Sequence, residues 1–322
     1  MKSGFSKYSG IVSVMLAAGA VSFAAEKPLL EYLFNETGVN AASSGTVNAP
    51  LEFRSRSGNR LADLHGDEGS GVSGKPGDRA FNNTDADMGG GGGVAKTEDN
   101  VDDIDGLVSF TYCGWFKTAG DVSFVGSLAR LGKDYDENKG WQFLGNNGDG
   151  VLVYVDTGSR VFAGGKPTDL SVLAQTEKWV FFAVTYDGTK SGNNVKIYAG
   201  DQKKPVALAG TQTINSSTSD KNGVALAVGN EINRSRAFSG FLDNIRLYGT
   251  KTSRDNTGAL TVEQLEAIRA GDLTFKETAA AAPAPAETKP AEAKTDKPME
   301  TAAADKAGAT PSYFESVCPA WE

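Results

Sequence analysis

Short apolar segments separated by Gly, Asn and Asp recur along most of the chain. Segments of this kind, rich in β-branched and aromatic residues and closed by turn-forming residues, are typical of β-strands. Residues 146–150 (NNGDG) and 187–194 (DGTKSGNN) have the composition of hairpin connections. The pattern predicts strands at residues 29–34, 106–118, 122–131, 140–145, 150–157, 178–188, 194–200, 223–230 and 238–249.

A helical pattern appears only after these segments. Thr261 and Gln264 have the spacing of a capping box, and Leu265 and Ile268 follow at helical spacing before Gly271. Residues 35–105 are rich in Gly and polar residues, and they predict loops with one or two short strands near residues 79–82. Many short strands and one late helix predict an all-β, antiparallel two-sheet sandwich with one short C-terminal helix.

The last predicted strand contains an acidic residue in its apolar row. With the two-residue period of a strand, Phe241, Asp243, Ile245 and Leu247 fall on one face, and this face is the more apolar of the two. A buried ionised carboxylate is costly unless something pairs with it or coordinates it. Either this strand end is more hydrated than its neighbours suggest, or Asp243 has a partner.

Both ends of the chain differ in composition from the region between them. Residues 1–24 combine two lysines, an apolar run and small residues before a cleavage position, which predicts a signal peptide and export to the periplasm, the cell surface or the medium. Residues 276–311 are almost entirely Ala, Pro, Lys, Glu and Thr, as in a disordered linker. Residues 25–275 then form one domain, and residues 312–322 form a short apolar end that either docks onto a partner or frays.

The net charge of −8, without a cluster of Lys and Arg, excludes nucleic acid as a partner. The apolar run at residues 11–20 is too short to cross a bilayer, so we predict no membrane insertion. Cys113 and Cys318 favour a buried free thiol and a tail thiol, with a long-range bridge as the alternative. A single histidine, His65, leaves little material for a His-based triad or metal site.

Four segments resemble, in their order, a known family. They are FTYCGWFKT (110–118), KWVFFAVTYDGTKSGNNVKIYAGD (178–201), VALAVGN (224–230) and FSGFLDNIRLYGT (238–250). They are similar to the concanavalin A-like lectin/glucanase superfamily, and more narrowly to the laminin G-like (LamG) jelly rolls of bacterial exported proteins. The resemblance covers residues 29–273. It implies a jelly roll of two curved antiparallel sheets, a concave face that binds sugars, and often one structural calcium ion at an edge.

The resemblance also implies a role for Asp243. In many relatives an aspartate of the last strand ligates a Ca²⁺ ion that ties this strand to the N-terminal segment. Calcium takes six to eight oxygen ligands, including backbone carbonyls. Asn35 stands where an aspartate is usual, which lowers the charge of the site. The alternative is that Asp243 caps backbone N–H groups or pairs with Arg79. The candidate metal ligands are Asp243, Asn35, Glu36, Gly77 and Asp78.

Catalysis is the less favoured prediction. The hydrolases of this family carry Glu-x-Asp-x-x-Glu on one strand, and no such motif occurs here. A retaining glycosidase needs two carboxylates about 5–5.5 Å apart. The acidic segments 134–140 (DYDENKG) and 98–105 (EDNVDDID) have the composition of loops, although the second is also a weak candidate for calcium. We therefore predict no catalytic residues, with a glycoside hydrolase of the same fold as an alternative.

A binding module is the favoured prediction. Sugar recognition in sandwiches combines aromatic rings with hydrogen bonds from amides and carboxylates. Trp141 with Gln142, and Tyr154 with Asp156, supply such pairs, although a single aromatic residue is more often part of a core. The predicted partner is a carbohydrate or a cell-surface partner. The alternative is a structural or adhesion scaffold of the cell envelope, and nothing in the sequence points to a particular oligomeric state.

Overall fold

The computed structural model describes residues 27–55, 60–86, 91–98, 101–119, 126–132, 139–145, 151–157, 177–214, 225–252 and 254–275, with only the backbone for 139, 145 and 151–157. In these residues the chain forms fourteen β-strands and one α-helix. They are β1 (Leu30–Tyr32), β2 (Asn40–Ala41), β3 (Leu51–Arg54), β4 (Phe81–Asn82), β5 (Val94–Lys96), β6 (Ser109–Thr118), β7 (Ser127–Leu131), β8 (Lys139–Gly145), β9 (Val151–Thr157), β10 (Val180–Asp187), β11 (Val195–Asp201), β12 (Ala207–Gln212), β13 (Leu226–Val228), β14 (Gly240–Thr250) and α1 (Val262–Thr274).

The described strands form two antiparallel sheets. Sheet I has the order β1-β14-β6-β10-β11-β12, with β4 also paired to β14. Sheet II has the order β2-β3-β5-β13-β7-β8-β9. The first and last strands are neighbours, since Leu30 of β1 lies opposite Leu247 of β14. The predicted all-β, two-sheet antiparallel sandwich with one short C-terminal helix is confirmed.

The main hydrophobic core lies between the two sheets and is rich in aromatic rings. Tyr112 of sheet I packs on Phe143 of sheet II, with the ring centroids 5.2 Å apart. Phe110 of sheet I packs on Trp141 of sheet II at 5.5 Å. Alternate residues of each strand enter this core because successive side chains of a strand point to opposite faces.

A second hydrophobic cluster covers the outer face of sheet I. Trp115 and Phe181 of this sheet pack there against Leu265 of α1 and Val72 of the preceding loop region. Strands β6 and β10 are therefore buried on both faces, which explains why their sequences read as almost continuous apolar runs. Helix α1 begins with the predicted capping box, in which the Thr261 side chain accepts a hydrogen bond from Gln264 N.

The sequence pattern missed the shorter strands. β4 matches the expected strand near residues 79–82, but residues 35–105 also contain β2, β3 and β5. These strands have two to four residues each, too few to show a period. β12 was missed because it lies at an edge of sheet I and is largely exposed, so it lacks an apolar row.

Several predictions concern residues outside the described part of the chain. They are the signal peptide at residues 1–24, the linker at 276–311, the apolar end at 312–322 and the thiol of Cys318, and they stay predictions. Cys113 is buried and free, as expected. Within the described residues, no helix combines the length and the apolar character needed to cross a bilayer.

Candidate functional site

The two outer faces of the sandwich differ in what covers them. α1 and the loop region around Val72 and Ala80 pack onto the outer face of sheet I. The outer face of sheet II instead carries a row of residues, polar except for Ala227, that crosses the strands at one level. In strand order the row reads Gln142 of β8, Arg130 of β7, Ala227 of β13, Lys96 of β5, Glu52 of β3 and Asn40 of β2.

One end of this polar row is a buried, charged cluster. Glu231, which follows β13, is 2% exposed, and its Oε1 accepts hydrogen bonds from Gln142 Nε2 at 2.6 Å and from Arg130 Nη1 at 3.3 Å. Its Oε2 accepts a hydrogen bond from Ser235 Oγ at 2.6 Å, and Arg236 Nε lies 3.6 Å from Oε1. These contacts hold the polar side chains in fixed positions, because each is matched to a partner.

The other end of the row is open to solvent. Asn40 is exposed, and Lys96 and Glu52 are half-buried. Glu52 pairs with Arg54 on the same strand. Lys96 has no hydrogen bond or ion pair through its ammonium group among the described residues, so this cation is available to a ligand.

The predicted ligand-binding residues divide between the two faces of sheet II. Trp141 is 4% exposed and packs inside the sandwich on Phe143, with the ring centroids 4.8 Å apart. The prediction that its ring contacts a ligand is wrong, because its position in β8 faces the core. Gln142, the next residue, lies in the polar row. Tyr154 is paired with Gln142 and Asp156 with Gly140, but their side chains lie outside the described part.

A β-bulge in β14 sets the position of Asp243. Two residues of β14, Asn244 and Ile245, lie opposite the single residue Gly114 of β6. Asn244 has a left-handed φ of 50°. A Cβ atom on Gly114 would lie 2.5 Å from Ile245 Cδ1 and 3.1 Å from the carbonyl oxygens of Asn244 and Asp243. Glycine at position 114 therefore lets the bulged strand approach β6.

The bulge changes which residues of β14 face the core. Leu242, Ile245 and Leu247 belong to the core between the sheets, whereas Phe241 belongs to the cluster on the outer face of sheet I. Asp243 does not belong to the core between the sheets either. The predicted row of Phe241, Asp243, Ile245 and Leu247 is wrong, because the extra residue breaks the two-residue period.

Asp243 is fully buried and accepts hydrogen bonds from backbone groups. Its Oδ2 accepts from Val72 N at 2.8 Å, and its Oδ1 accepts from Asn244 N at 2.7 Å. Arg79 pairs with Glu68 and donates to Gly66 O instead. The alternative in which Asp243 caps backbone N–H groups is thus present, and the pairing with Arg79 is wrong.

A second buried carboxylate lies close to Asp243. Asp78 is 1% exposed, and its Oδ2 accepts a hydrogen bond from Ser73 N at 2.7 Å, in the same loop as Val72. Burial raises the pKa of Asp78 above its ordinary value. Burial and the negative charge of Asp78 together raise the pKa of Asp243 well above its ordinary value. The folded chain therefore holds two neighbouring acidic groups, and neither forms an ion pair within the described residues.

The structure brings some of the predicted metal ligands together. Asn35 Oδ1 accepts a hydrogen bond from Arg79 N at 2.9 Å, which places Asn35 beside the backbone that follows Asp78. Gly77 precedes Asp78 with a left-handed φ of 83° and lies against the ring of Phe275. Glu36 instead accepts a hydrogen bond from Ala42 N, so its carboxylate is engaged elsewhere.

The donor chemistry of this region fits a hard cation. The candidate donors are the carboxylates of Asp78 and Asp243, the amide oxygen of Asn35 and nearby carbonyls, and all are oxygen atoms. Within the described residues, no cluster of three or more His, Cys, Asp and Glu side chains could hold a metal. A cation here would therefore need backbone carbonyls to complete its ligands, as calcium sites often do.

The acidic segments of the sequence do not supply a described catalytic pair. Residues 133–138, which contain most of DYDENKG, lie outside the described part. Residues Asp102–Ile104 of EDNVDDID form a 3₁₀ turn, and Lys251 Nζ donates a hydrogen bond to Asp102 O. Sequence reasoning missed Glu231 altogether, because it follows β13 in a turn and contacts β7 and β8, which are distant in sequence.

Three solved structures illustrate the likeness of the fold. Domain 4 of an extracellular arabinanase from Geobacillus stearothermophilus, in complex with arabinotriose, has 13% identity and a TM-score of 0.47, over 76% of this chain and 98% of that chain. The binding domain of botulinum neurotoxin DC in complex with SialylT has 13% identity and a TM-score of 0.46, over 77% of this chain and 52% of the toxin domain. A heptameric SAP-like pentraxin from Limulus polyphemus has 15% identity and a TM-score of 0.37, over 52% of this chain and 73% of that chain.

The sequence itself gives the family. A search of curated proteins found no significant match. Residues 89–256, more than half of the chain, match the family model Laminin_G_3, described as the concanavalin A-like lectin/glucanases superfamily. This range contains β5 to β14 and therefore most of both sheets. The chain belongs to the concanavalin A-like lectin/glucanase superfamily, as its laminin G-like segments suggested.

Proposed function

We propose that this protein is an exported, non-catalytic binding domain that recognises carbohydrate through the outer face of sheet II. The observation that carries the proposal is the polar row across this face, whose accessible part runs from Lys96 through Glu52 to Asn40. The other end of the row, Gln142 and Arg130, is buried against Glu231. The outer face of sheet I is covered by α1, whereas Lys96, Glu52 and Asn40 leave part of the outer face of sheet II open to a ligand.

The chemistry of the row suits a polyhydroxylated ligand. Its open part offers the amide of Asn40, the ammonium of Lys96 and the carboxylate of Glu52, so it can both donate to and accept from sugar hydroxyls. The buried cluster around Glu231 is ordered by internal hydrogen bonds and holds β7, β8 and the turn after β13 together beside the open part of the row. Tyr154 of β9 is paired with Gln142 of β8, so its backbone continues the register of the row.

The same face argues against glycoside hydrolysis. A glycosidase needs two carboxyl groups roughly 5–9.5 Å apart. The described carboxylates on this face are Glu231, held against β7, and Glu52 on β3. Three strand spacings separate β3 from β7, which corresponds to about 14 Å. Glu231 is also neutralised by Arg130, and Glu52 by Arg54, so neither is arranged as a general acid.

Calcium is part of the proposal, with a structural role. Asp243 and Asp78 would contribute carboxylate oxygens and Asn35 an amide oxygen, and the bound cation would offset the repulsion between the two buried acids. Because Asp243 lies on the last strand and Asn35 follows the first, the ion would tie the two ends of sheet I together.

A glycan array tests the binding function. The full-length chain is applied with calcium and with EDTA, beside the row variants Lys96→Ala and Asn40→Ala and the control Lys203→Ala. Lys203 is exposed in the turn after β11, away from sheet II. We expect one glycan class to bind the parent protein and the control, and to bind both row variants at least threefold more weakly.

The other outcomes contradict the proposal in different ways. Unchanged binding by Lys96→Ala and Asn40→Ala would show that the ligand does not bind at the outer face of sheet II. A blank array with folded protein would oppose carbohydrate binding and favour the scaffold of the cell envelope. Loss of binding in EDTA would show that glycan binding depends on the metal.

Export rests on the pattern of residues 1–24 and needs its own measurement. Mass spectrometry of the protein recovered from the expressing cells should find a mature chain that begins at Ala25. A protein that keeps Met1 and stays with the cytoplasmic fraction would contradict this part of the proposal. The same measurement reports whether the segment 276–322 remains attached.

A further inference from the structure

Strand β12 lies at one end of sheet I and has an open edge. Among the described strands it pairs with β11 alone. At the other end of the sheet the edge of β1 is closed, because Ser44 N and Thr46 N donate hydrogen bonds to Glu31 O and Pro28 O. No backbone group of a described loop hydrogen-bonds to β12 in this way. An edge strand of this kind presents N–H and C=O groups with which a further strand can pair.

The edge of β12 lacks the charged residues that commonly keep edge strands apart. Proteins often place Lys, other charged residues or Pro on such strands, because an uncharged edge pairs readily with another chain. Residues 205–219 contain no Lys, Arg, Asp or Glu, and the only proline of this segment, Pro205, precedes the strand. The whole length of β12 is therefore free of charge.

The side chains of β12 are also accessible. Leu208 is 54% exposed, more than any other large hydrophobic residue in the described part of the chain. Ala207 and Thr211 are exposed as well. Leu208 is paired with Tyr198, which belongs to the hydrophobic cluster on the outer face of sheet I, so the apolar surface of this face continues to the edge. Burial of Leu208 would be favourable in proportion to the apolar area removed from water.

A second copy of the chain matches this edge. In antiparallel pairing about a two-fold axis, the N–H and C=O groups of one β12 meet the C=O and N–H groups of the other, so the strand is its own complement. Each chain has a net charge of −8, so two copies repel each other least where they meet without charges. The uncharged segment 205–219 offers such a place. A charged peptide would find no ion pair along this segment and is the poorer match.

We infer that the protein self-associates through β12 and forms a two-fold dimer in which the two copies of sheet I join into one continuous antiparallel sheet. Leu208 is then covered by the strand of the other copy. β12 has a bulge at Ala209, opposite the step from Ile197 to Tyr198 of β11. The bulge limits regular pairing to a few residues, so we expect a dissociation constant in the micromolar range.

The proposed dimer presents its two copies of sheet II on the same side. The two-fold axis that relates two antiparallel neighbours in a sheet is perpendicular to that sheet, so the outer faces of both copies of sheet II point the same way. A surface that carries repeated ligands would then be held by two sites at once and more tightly than by one. This consequence rests on the proposed function, whereas the pairing of β12 does not.

Sedimentation equilibrium of the full-length chain tests the pairing, with a reducing agent to prevent cross-linking through Cys318. Leu208→Glu and Thr211→Glu each place a charge on the edge of β12. Leu61→Glu is the matched control, because Leu61 is 49% exposed and lies beside β3 of sheet II. Thr211 is paired with Lys196, so a glutamate at position 211 gains a favourable neighbour within its own copy and the fold should persist.

We expect the parent, Leu61→Glu and Lys96→Ala to dimerise with the same dissociation constant. Leu208→Glu and Thr211→Glu should raise this constant at least about tenfold, because two-fold pairing brings the two added charges into one interface. Hydrogen exchange locates the interface. Some amides of residues 207–212 should exchange more slowly as the concentration rises through the dissociation constant, since the strand of the other copy then protects them.

Three results would overturn the inference. The first is a parent chain that stays monomeric at millimolar concentration. The second is an unchanged dissociation constant in both Leu208→Glu and Thr211→Glu, which would place the interface on another surface. The third is slow exchange of all β12 amides at every concentration, which would mean that one chain already covers its own edge. Because Lys96→Ala changes only sheet II, loss of ligand binding without loss of the dimer would bear on the proposed function and leave this inference intact.

Discussion

The guanidinium of Arg246 in β14 donates two hydrogen bonds to the carboxylate of Asp272 in α1, at 3.0 Å from Nη1 and 2.8 Å from Nη2. The same side chain donates from Nε to Glu31 of β1 at 2.7 Å. Trp115 Nε1 donates to Asp272 at 2.8 Å. One buried arginine thus joins the first strand, the last strand and the only described helix.

Removal of Asp272 should therefore be costly. The variant Asp272→Ala leaves the Arg246 guanidinium buried with one carboxylate fewer and leaves Trp115 Nε1 without its acceptor. Breaking a buried pair from one side typically costs about 3–5 kcal/mol of unfolding free energy. Urea unfolding followed by tryptophan fluorescence measures the difference.

The matched control for this variant lies in the same helix. Glu263 is exposed in the first turn of α1, and Glu263→Gln should leave the urea midpoint close to that of the parent. Equal midpoints for Asp272→Ala and the parent would show that the link between α1 and β14 adds nothing to stability.

Calcium should stabilise the protein through Asp243. Ligand that binds only the folded state adds about 2.7 kcal/mol when its free concentration is 100-fold above Kd. We expect EDTA to lower the melting temperature of the parent and calcium to restore it. Asp243→Asn keeps the size of the side chain but removes the charge, so calcium should no longer raise its melting temperature. A parent protein that melts alike in EDTA and in calcium would exclude the metal.

The two buried acids also predict how stability depends on pH without metal. The pKa values of Asp243 and Asp78 are raised in the folded state, so between the unfolded and folded pKa values the unfolded chain has released protons that the folded chain retains. Unfolding free energy should therefore increase as the pH falls from 7 to about 5, by at most about 1.4 kcal/mol per pH unit for each group.

The variant Asp243→Asn isolates this contribution. Groups whose pKa is lowered in the folded state, such as Asp187 and Asp201, act in the opposite direction and mainly below pH 4. In EDTA, the difference in unfolding free energy between the parent and Asp243→Asn should shrink as the pH falls, because Asp243 of the parent then becomes protonated and neutral. If the difference in unfolding free energy stayed constant from pH 7 to pH 5, Asp243 would be ionised in the folded protein over this whole range.

The sequence predicted the long strands and the helix because their patterns are local. β6 and β10 show long runs of β-branched and aromatic residues, and Thr261 and Gln264 form a capping box within four residues. The bulge at Asn244 could not be predicted in the same way. It depends on the contact with Gly114, and this glycine is distant in sequence and ordinary in composition.

The candidate sites were harder to predict for the same reason. Trp141 and Gln142 are adjacent in sequence, and only the register of β8 decides that the first is core and the second belongs to the polar row. Glu231 completes the cluster with Arg130 across strands that are about a hundred residues apart. Pairings at this separation leave no periodic pattern in the sequence.

Gly114 should be intolerant of the smallest possible side chain. In Gly114→Ala the new Cβ would lie 2.5 Å from Ile245 Cδ1 and 3.1 Å from two carbonyl oxygens of β14, so either the strand or the core must shift. Overpacking of this kind costs about 1–3 kcal/mol of unfolding free energy.

Gly271→Ala is the matched control, because nothing lies within 4 Å of its Cβ position in α1. Alanine is favoured over glycine in a helix by up to about 1 kcal/mol. Urea unfolding should therefore give changes of opposite sign for the same substitution, a loss at position 114 and a gain at position 271. If Gly114→Ala were as stable as the parent, the bulge would not need glycine opposite it, and the position of Asp243 would have another cause.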